Sequence, residues 1–137
     1  MIMTQEQKDL LLKDLCCRLP YGTMVYAQNA VDWYDSEICT QVLSDVINED
    51  YIVKPYLFPM SSITEENVYE FYCRFVDSDI PFDDFVADCW NTNSFHKILT
   101  SIDDVKSIMD WYNKNHFDYR ELIYKGLAID ATGLNIY

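Results

Sequence analysis

A chain of 137 residues, half of them apolar and 15% aromatic, has enough material for one folded domain with a real core and is too hydrophobic for disorder. Its 10 Lys+Arg against 23 Asp+Glu give a net charge of −13, a field that repels phosphate backbones and anionic lipid and so disfavours direct nucleic-acid or membrane binding. No stretch approaches the roughly 20 apolar residues of a membrane helix, no basic-then-apolar leader opens the sequence, and 5 cysteines with Cys16 and Cys17 adjacent suggest no disulfide framework, so the expectation is a cytoplasmic protein with reduced, mostly buried thiols.

Thr4-Gln5-Glu6-Gln7 has the form of a capping box and predicts a helix through about Cys17, with Leu11, Leu12, Leu15 and Cys16 as its apolar stripe. Leu19-Pro20-Tyr21-Gly22 ends it, because proline cannot continue a helix and glycine frees the backbone. Thr23–Ala27 and Val31–Tyr34 are short β-branched and aromatic runs divided by Gln28-Asn29, the pattern of a hairpin, and Asp35-Ser36-Glu37 reads as a break. Ile38–Ile47 fits two periods: Ile38, Val42 and Val46 at helical spacing, or Ile38, Thr40, Val42, Ser44 and Val46 alternating as a strand. The β-branched content tips the reading to strand. Tyr51-Ile52-Val53 completes the β unit, and Lys54–Pro59 leaves the sheet because its two prolines lack ladder donors.

The second half reads as helical. Ser62-Ile63-Thr64-Glu65 offers a second capping box ahead of the stripe Val68, Phe71, Tyr72 and Phe75. Pro81 separates this from a helix with Phe82, Phe85, Val86, Cys89 and Trp90 on one face. Asn91–Ser94 is a polar turn, a short helical piece runs through Ile98-Leu99, and Ser101 caps a helix striped by Ile102, Val105, Met109 and Tyr112. Asp118 caps a short helix through Lys125 with Gly126 past its end, and Leu127–Ala131 and Leu134–Tyr137 form a terminal hairpin or strand. Segregated strands and helices argue an α+β fold: N-terminal helix, small antiparallel β unit, helical C-terminal half, terminal β element. Residues 1–137 read as a single domain, divisible into a β-rich subdomain 1–58 and a mainly helical subdomain 59–137.

Three segments, Leu19-Pro20-Tyr21-Gly22, Lys54-Pro55-Tyr56-Leu57-Phe58-Pro59 and His116-Phe117-Asp118-Tyr119-Arg120, resemble a family of short uncharacterised proteins of Bacteroides-type gut bacteria, their phages and mobile elements. The resemblance implies a phage or mobile-element accessory protein and a small SH3-like barrel between Gly22 and Val53, from which Ile38–Ile47 departs. It implies no activity and assigns no functional residue.

No catalytic or metal signature stands out. His96 and His116 with Cys73 and Cys89 lack the paired spacing by which one local turn presents two zinc ligands. A Cys–His nucleophile has few cations nearby to lower a thiol pKa. The acids Asp77, Asp79, Asp83, Asp84 and Asp88 fail the EF-hand pattern, since Phe82 and Asp88 stand where glycine and glutamate are required. Glycines at 22, 126 and 133 alone make no phosphate loop, so no cofactor is implied. The candidate interaction residues are the aromatics Trp33, Tyr34, Tyr51 and Tyr56 and the acids Asp77, Asp79, Asp83 and Asp84. They suggest a non-enzymatic protein that meets a partner, one with a basic surface, through an acidic exterior with aromatic anchors. The alternatives are an acidic nucleic-acid mimic that blocks a DNA- or RNA-binding host protein, and a small enzyme of unknown class.

Overall fold

The computed structural model describes residues 3–48, 51–91 and 105–137. The chain forms two compact units, the first made of residues 1–60 and 112–137 and the second of residues 61–111. The expected helical piece through Ile98-Leu99, the Ser101 cap with Ile102, and His96 lie outside the described residues.

In the first unit α1 (Gln5–Arg18) starts on the expected capping box. Thr4 Oγ1 accepts from the Gln7 N–H at 3.1 Å, and Gln7 Oε1 accepts from the Thr4 N–H at 3.0 Å, so two otherwise orphaned donors are satisfied. Leu11 and Leu15 are fully buried, but Cys16 and Cys17 face outward, and Asp14 and Arg18 are buried in their place. Cys39 is also exposed, while Cys73 and Cys89 are half-buried, so the thiols are not core residues as a class. The helix ends in a 3₁₀ turn over Leu19–Tyr21, and Gly22 leaves it at φ 68°, a left-handed backbone that glycine adopts without strain.

β1 (Met24–Gln28) and β2 (Trp33–Glu37) form the hairpin in register Met24↔Glu37 to Gln28↔Trp33. Asp35-Ser36-Glu37, read from sequence as a break, belong to the strand. Asn29 organises the turn, its side-chain oxygen accepting from the N–H groups of Val31 (2.9 Å) and Asp32 (2.6 Å).

Ile38–Ile47 is not a strand: α2 (Thr40–Asn48) occupies it. Ile38, Val42 and Val46 at i, i+4, i+8 are all buried, whereas Thr40 and Ile47 are exposed and Ser44 only half-buried, so the set at helical spacing is the one that lies wholly inside. A helix in place of a strand also leaves the sheet open, in the order β2-β1-β3-β4, so the small barrel implied by the resemblance is not formed.

β3 (Ile52–Leu57) runs through Pro55. It pairs antiparallel with β1 on one side and, from Tyr56 onward, parallel with β4 (Ile129–Asp130) on the other. In the β1–β3 ladder Tyr26↔Lys54 is the bonded pair and Val25↔Pro55 the unbonded one, because Val25 spends its hydrogen bonds on β2. The missing proline N–H therefore costs no ladder bond, and the proline does not end the strand. One sheet face, carrying Val25, Ala27, Val53 and Leu57, packs with Leu11, Leu15, Val42 and Val46 of the two helices into the core, joined by Leu122 and Leu127.

Residues 118–125 form turns rather than a helix. Glu121 sits at φ 59°, which interrupts a right-handed helix, and the Asp118 carboxylate instead accepts from the N–H groups of Leu122 (2.8 Å) and Ile123 (2.9 Å). Gly126 adopts the expected left-handed conformation at φ 76°. The terminal β element is the single strand β4, not a hairpin, and Leu134–Tyr137 follow as irregular chain.

In the second unit α3 (Glu65–Phe75) is capped two residues later than expected, by Thr64 and Asn67 rather than Ser62 and Glu65. Val68 and Phe71 are buried; Phe71 packs on Phe75 and Trp111, and Tyr69 and Tyr72 pack on Phe85. α4 (Phe82–Phe85) continues as one π turn over Val86–Trp90. α5 (Val105–Lys114) carries Trp111. No described helix is long and apolar enough to cross a membrane.

Candidate functional site

The four aromatics singled out in the β unit do not form one patch, because strand alternation sends them to opposite faces of the sheet. Tyr34 points to the helix-covered face, where its ring meets Tyr51 edge-on at 5.9 Å and its hydroxyl donates to Asp45 Oδ2 at 3.3 Å. Burial, then the Asp45 carboxylate, raises the Tyr34 pKa. Tyr51 packs against the core and its hydroxyl accepts from Asn29 Nδ2 at 3.3 Å. These two are structural.

Trp33 and Tyr56 lie on the other face. Tyr56 is buried and donates to Asp35 Oδ1 at 2.7 Å; burial first, and this bond second, push its pKa up to about 12. Trp33 is 59% exposed and stacks on Tyr26 with ring centroids 5.9 Å apart. Tyr26 is itself held by a hydroxyl bond to Gln28 Oε1 at 2.7 Å. Ile52 and Val31 are exposed apolar residues of the same hairpin and its neighbour strand, Val31 at the hairpin tip. The acids Asp32, Asp35 and Glu37 are exposed along β2 and its entry, while Lys54 is the cation of β3. The result is an aromatic stack held in place by its own strands and lined by carboxylates. Sequence spacing had the signal for it: Trp33, Asp35 and Glu37 alternate with Tyr34 and Ser36.

In the second unit all four candidate acids are exposed. Asp77 turns the chain by accepting the Asp79 N–H at 3.0 Å, and Asp83 and Asp84 occupy the first turn of α4, where carboxylates meet the positive end of the helix dipole. Among the described residues no three of His, Cys, Asp and Glu gather as a metal site. Cys73 and Cys89 lie beside the hydroxyls of Tyr69 and Tyr72 respectively, neighbours that together with burial raise both phenols, and the Tyr69 hydroxyl itself donates to the Ile80 carbonyl at 2.7 Å.

The arrangement that sequence reading missed lies under the C-terminal segment of the first unit. Arg18, fully buried, donates from Nε to Asp14 Oδ2 at 2.8 Å and from Nη2 to the Phe117 carbonyl at 2.6 Å. Arg120 donates from Nη1 to the other Asp14 oxygen at 3.0 Å, and the two guanidiniums lie 5.1 and 4.7 Å from the Tyr119 ring centroid. Arg18 Nη1 has no hydrogen-bond partner among the described residues. Beside this centre His116 (φ 61°) places Nδ1 3.0 Å from Thr23 Oγ1 and stacks on Tyr137 at 3.7 Å. Burial, followed by the Arg18 charge, lowers the His116 pKa to about 4. The Tyr137 hydroxyl donates to the Tyr56 carbonyl at 2.7 Å and accepts from the Met24 N–H at 2.9 Å, and burial raises its pKa to about 12. Asp14 and Arg18, four apart on α1, were a legible pair; Arg120, 102 positions further on, was not.

These groups are held by the fold: burial and the Arg18 charge keep the histidine neutral, with its Nδ1 on a threonine hydroxyl. The arrangement fastens the C-terminal segment to α1 and β3. The chain matches no protein-family model, no curated protein and no solved structure.

Proposed function

We propose that this is a non-enzymatic interaction protein that engages a partner through the acid-lined aromatic face of its sheet. The observation that carries the reading is Trp33, largely exposed yet held by its stack on Tyr26, with Asp32, Asp35 and Glu37 alongside. An exposed tryptophan normally lowers solubility. One held rigid by a neighbouring ring has already lost the rotamer freedom that binding would cost, and tryptophan is prominent among interface hot spots. The carboxylates select a partner with a basic surface and speed its approach. The resemblance of the Leu19–Gly22, Lys54–Pro59 and His116–Arg120 segments supports a phage or mobile-element setting, and a cytoplasmic location goes with it.

The test is capture of a partner from the native host by the tagged chain, followed by measured binding of the purified pair. Trp33→Ala is expected to weaken that binding at least tenfold at all salt concentrations, while Asp35→Lys weakens it mainly at low salt. Undiminished binding by Trp33→Ala would remove the sheet face from the reading. The net charge of −13 favours a second reading, an acidic mimic of nucleic acid. In that case binding falls steeply with salt, DNA competes, and Trp33→Ala is silent.

A further inference from the structure

β2 is an edge of the sheet, and its hydrogen-bond phase can be fixed from both ends of the hairpin. The Asn29 N–H donates to the Asp32 carbonyl at 2.9 Å, and the Ile38 N–H donates to the Thr23 carbonyl at 3.0 Å. Bonded and unbonded pairs alternate between those points, so Tyr34 and Ser36 bond to β1. The N–H and C=O groups of Trp33, Asp35 and Glu37 therefore point away from the sheet. Two of these six groups are used locally: the Trp33 N–H by Asp32 Oδ1 at 2.9 Å, and the Glu37 carbonyl by Ser36 Oγ at 2.9 Å. The Trp33 carbonyl, both Asp35 groups and the Glu37 N–H remain, an unpaired row centred on Asp35 among the described residues.

Such a row is a template for another strand, and charge decides which strand. A second copy pairing antiparallel about Asp35 would set Asp35 against Asp35, with Asp32 and Glu37 nearby, in a chain already at −13. Like charges directly opposite are unfavourable, and those on an edge are a usual defence against self-pairing. The same carboxylates favour a strand bearing Lys or Arg. The side chains of Trp33, Asp35 and Glu37 share the face that carries Tyr26, so a strand laid along β2 would bring every second side chain beside them. A guanidinium there meets a carboxylate at Asp35 or Glu37, or the indole face at Trp33. The intervening side chains fall beside Tyr34 and Ser36, where small or apolar residues fit.

Building on the interaction reading above, we propose that β2 is a strand-addition site for an extended partner segment with basic residues at alternate positions. Its main chain pairs with Trp33, Asp35 and Glu37 and its cations lie on the acid-lined face. Such recognition draws affinity from the main chain and selectivity from the alternate side chains.

The test uses the isotope-labelled full chain and an end-blocked eight-residue peptide of alternating arginine and valine. A version N-methylated at every amide keeps the charge and removes the donors. The expected result is amide shifts centred on Trp33–Glu37, slowed exchange of the Asp35 and Glu37 amides, and at least tenfold weaker binding of the methylated peptide. Glu37→Lys, checked for unchanged unfolding, is expected to weaken the unmethylated peptide at least fivefold. Equal binding of the two peptides, with loss on Trp33→Ala, overturns strand addition and leaves the aromatic face as the docking surface. Shifts located elsewhere and indifferent to Trp33→Ala overturn both. Failure of the unmethylated peptide to bind, or a dimer that forms through β2, overturns the proposal as well.

Discussion

Replacing Arg18 by Met keeps most of the side-chain volume and removes the charge, which isolates the ionic contribution of the buried centre. The guanidinium is fully buried, as is its partner Asp14. Removing one member of a buried pair costs about 3–5 kcal/mol because the other is left uncompensated. Here Asp14 keeps Arg120 at 3.0 Å, and Arg18 Nη1 has no hydrogen-bond partner among the described residues, so the low end of that range applies. The Phe117 carbonyl loses the Nη2 donor but keeps the Tyr119 N–H at 3.2 Å, so the loss of that bond adds about 1 kcal/mol. The sum is about 4 kcal/mol, a large part of the roughly 5–15 kcal/mol that holds a typical domain folded. With a urea dependence of about 2 kcal/mol per molar, the unfolding midpoint of Arg18→Met falls by about 2 M. Asp14→Leu completes a double-mutant cycle: once Asp14 is apolar, losing Arg18 is expected to cost less by about 1–3 kcal/mol. A midpoint shift of Arg18→Met worth under about 1 kcal/mol, or strictly additive single effects, would refute the reasoning.

His116 titrates at about 4 in the fold against 6.5 when free. A depressed folded pKa means the unfolded chain binds the proton first, so stability is full above pH 6.5 and declines as pH falls toward 4. Because the imidazole is only partly buried and solvent screens it, the loss is about 1–2 kcal/mol, and urea midpoints measured across that range should decline more in the wild type than in His116→Gln. Thr4→Ala and Thr64→Ala each remove a capping box and are expected to cost about 1 kcal/mol, read from thermal or urea unfolding. Gly22→Ala is expected to cost about 1 kcal/mol through backbone strain alone, because the added Cβ comes no nearer than 4.0 Å to Glu37 Oε1. Gly22→Asn should recover part of that loss, and equal stability of the alanine variant would contradict the left-handed backbone at this position.

What sequence made legible was local. The Thr4 box, the Pro20–Gly22 stop, the β1–β2 hairpin and the Val68 and Phe71 part of the α3 stripe each depend on residues within a few positions of one another, and each is present, whereas Phe75 of that stripe is exposed. Ile38–Ile47 was misread because β-branched residues satisfy both periods; burial of Ile38, Val42 and Val46 together, which only packing against α1 and β1 determines, selects the helix. Pro55 was misread for the opposite reason. Its local rule is sound, but whether a missing N–H matters depends on which strand lies on which side, and that is set by β1 and β4 far along the chain. The candidate aromatics were found as residue types and misgrouped as a patch, since alternation divides Tyr34 and Tyr51 from Trp33 and Tyr56. The Asp14–Arg18–Arg120 centre needed a contact across 106 positions between Asp14 and Arg120, which no local pattern reports.

The acids of this chain divide by whether the fold uses them. Asp14 neutralises two arginines, Asp45 receives Tyr34 and Gln41, and Asp118 receives two backbone N–H groups, and all three are buried. Asp35 is intermediate: it is exposed, yet it anchors the buried Tyr56 hydroxyl. Glu37 is exposed on an edge strand that already repels copies of itself. Residues of the first kind cannot change without cost to stability, so their acidity is explained by the core alone. Glu37 can change at little structural cost, because no ion pair or hydrogen bond holds its carboxylate among the described residues. An edge strand needs only some obstacle to self-pairing, which a lysine would supply equally well. Acids on all of Asp32, Asp35 and Glu37, next to a held tryptophan, therefore give the edge a sign as well as a barrier, and that sign is what a basic partner strand would read.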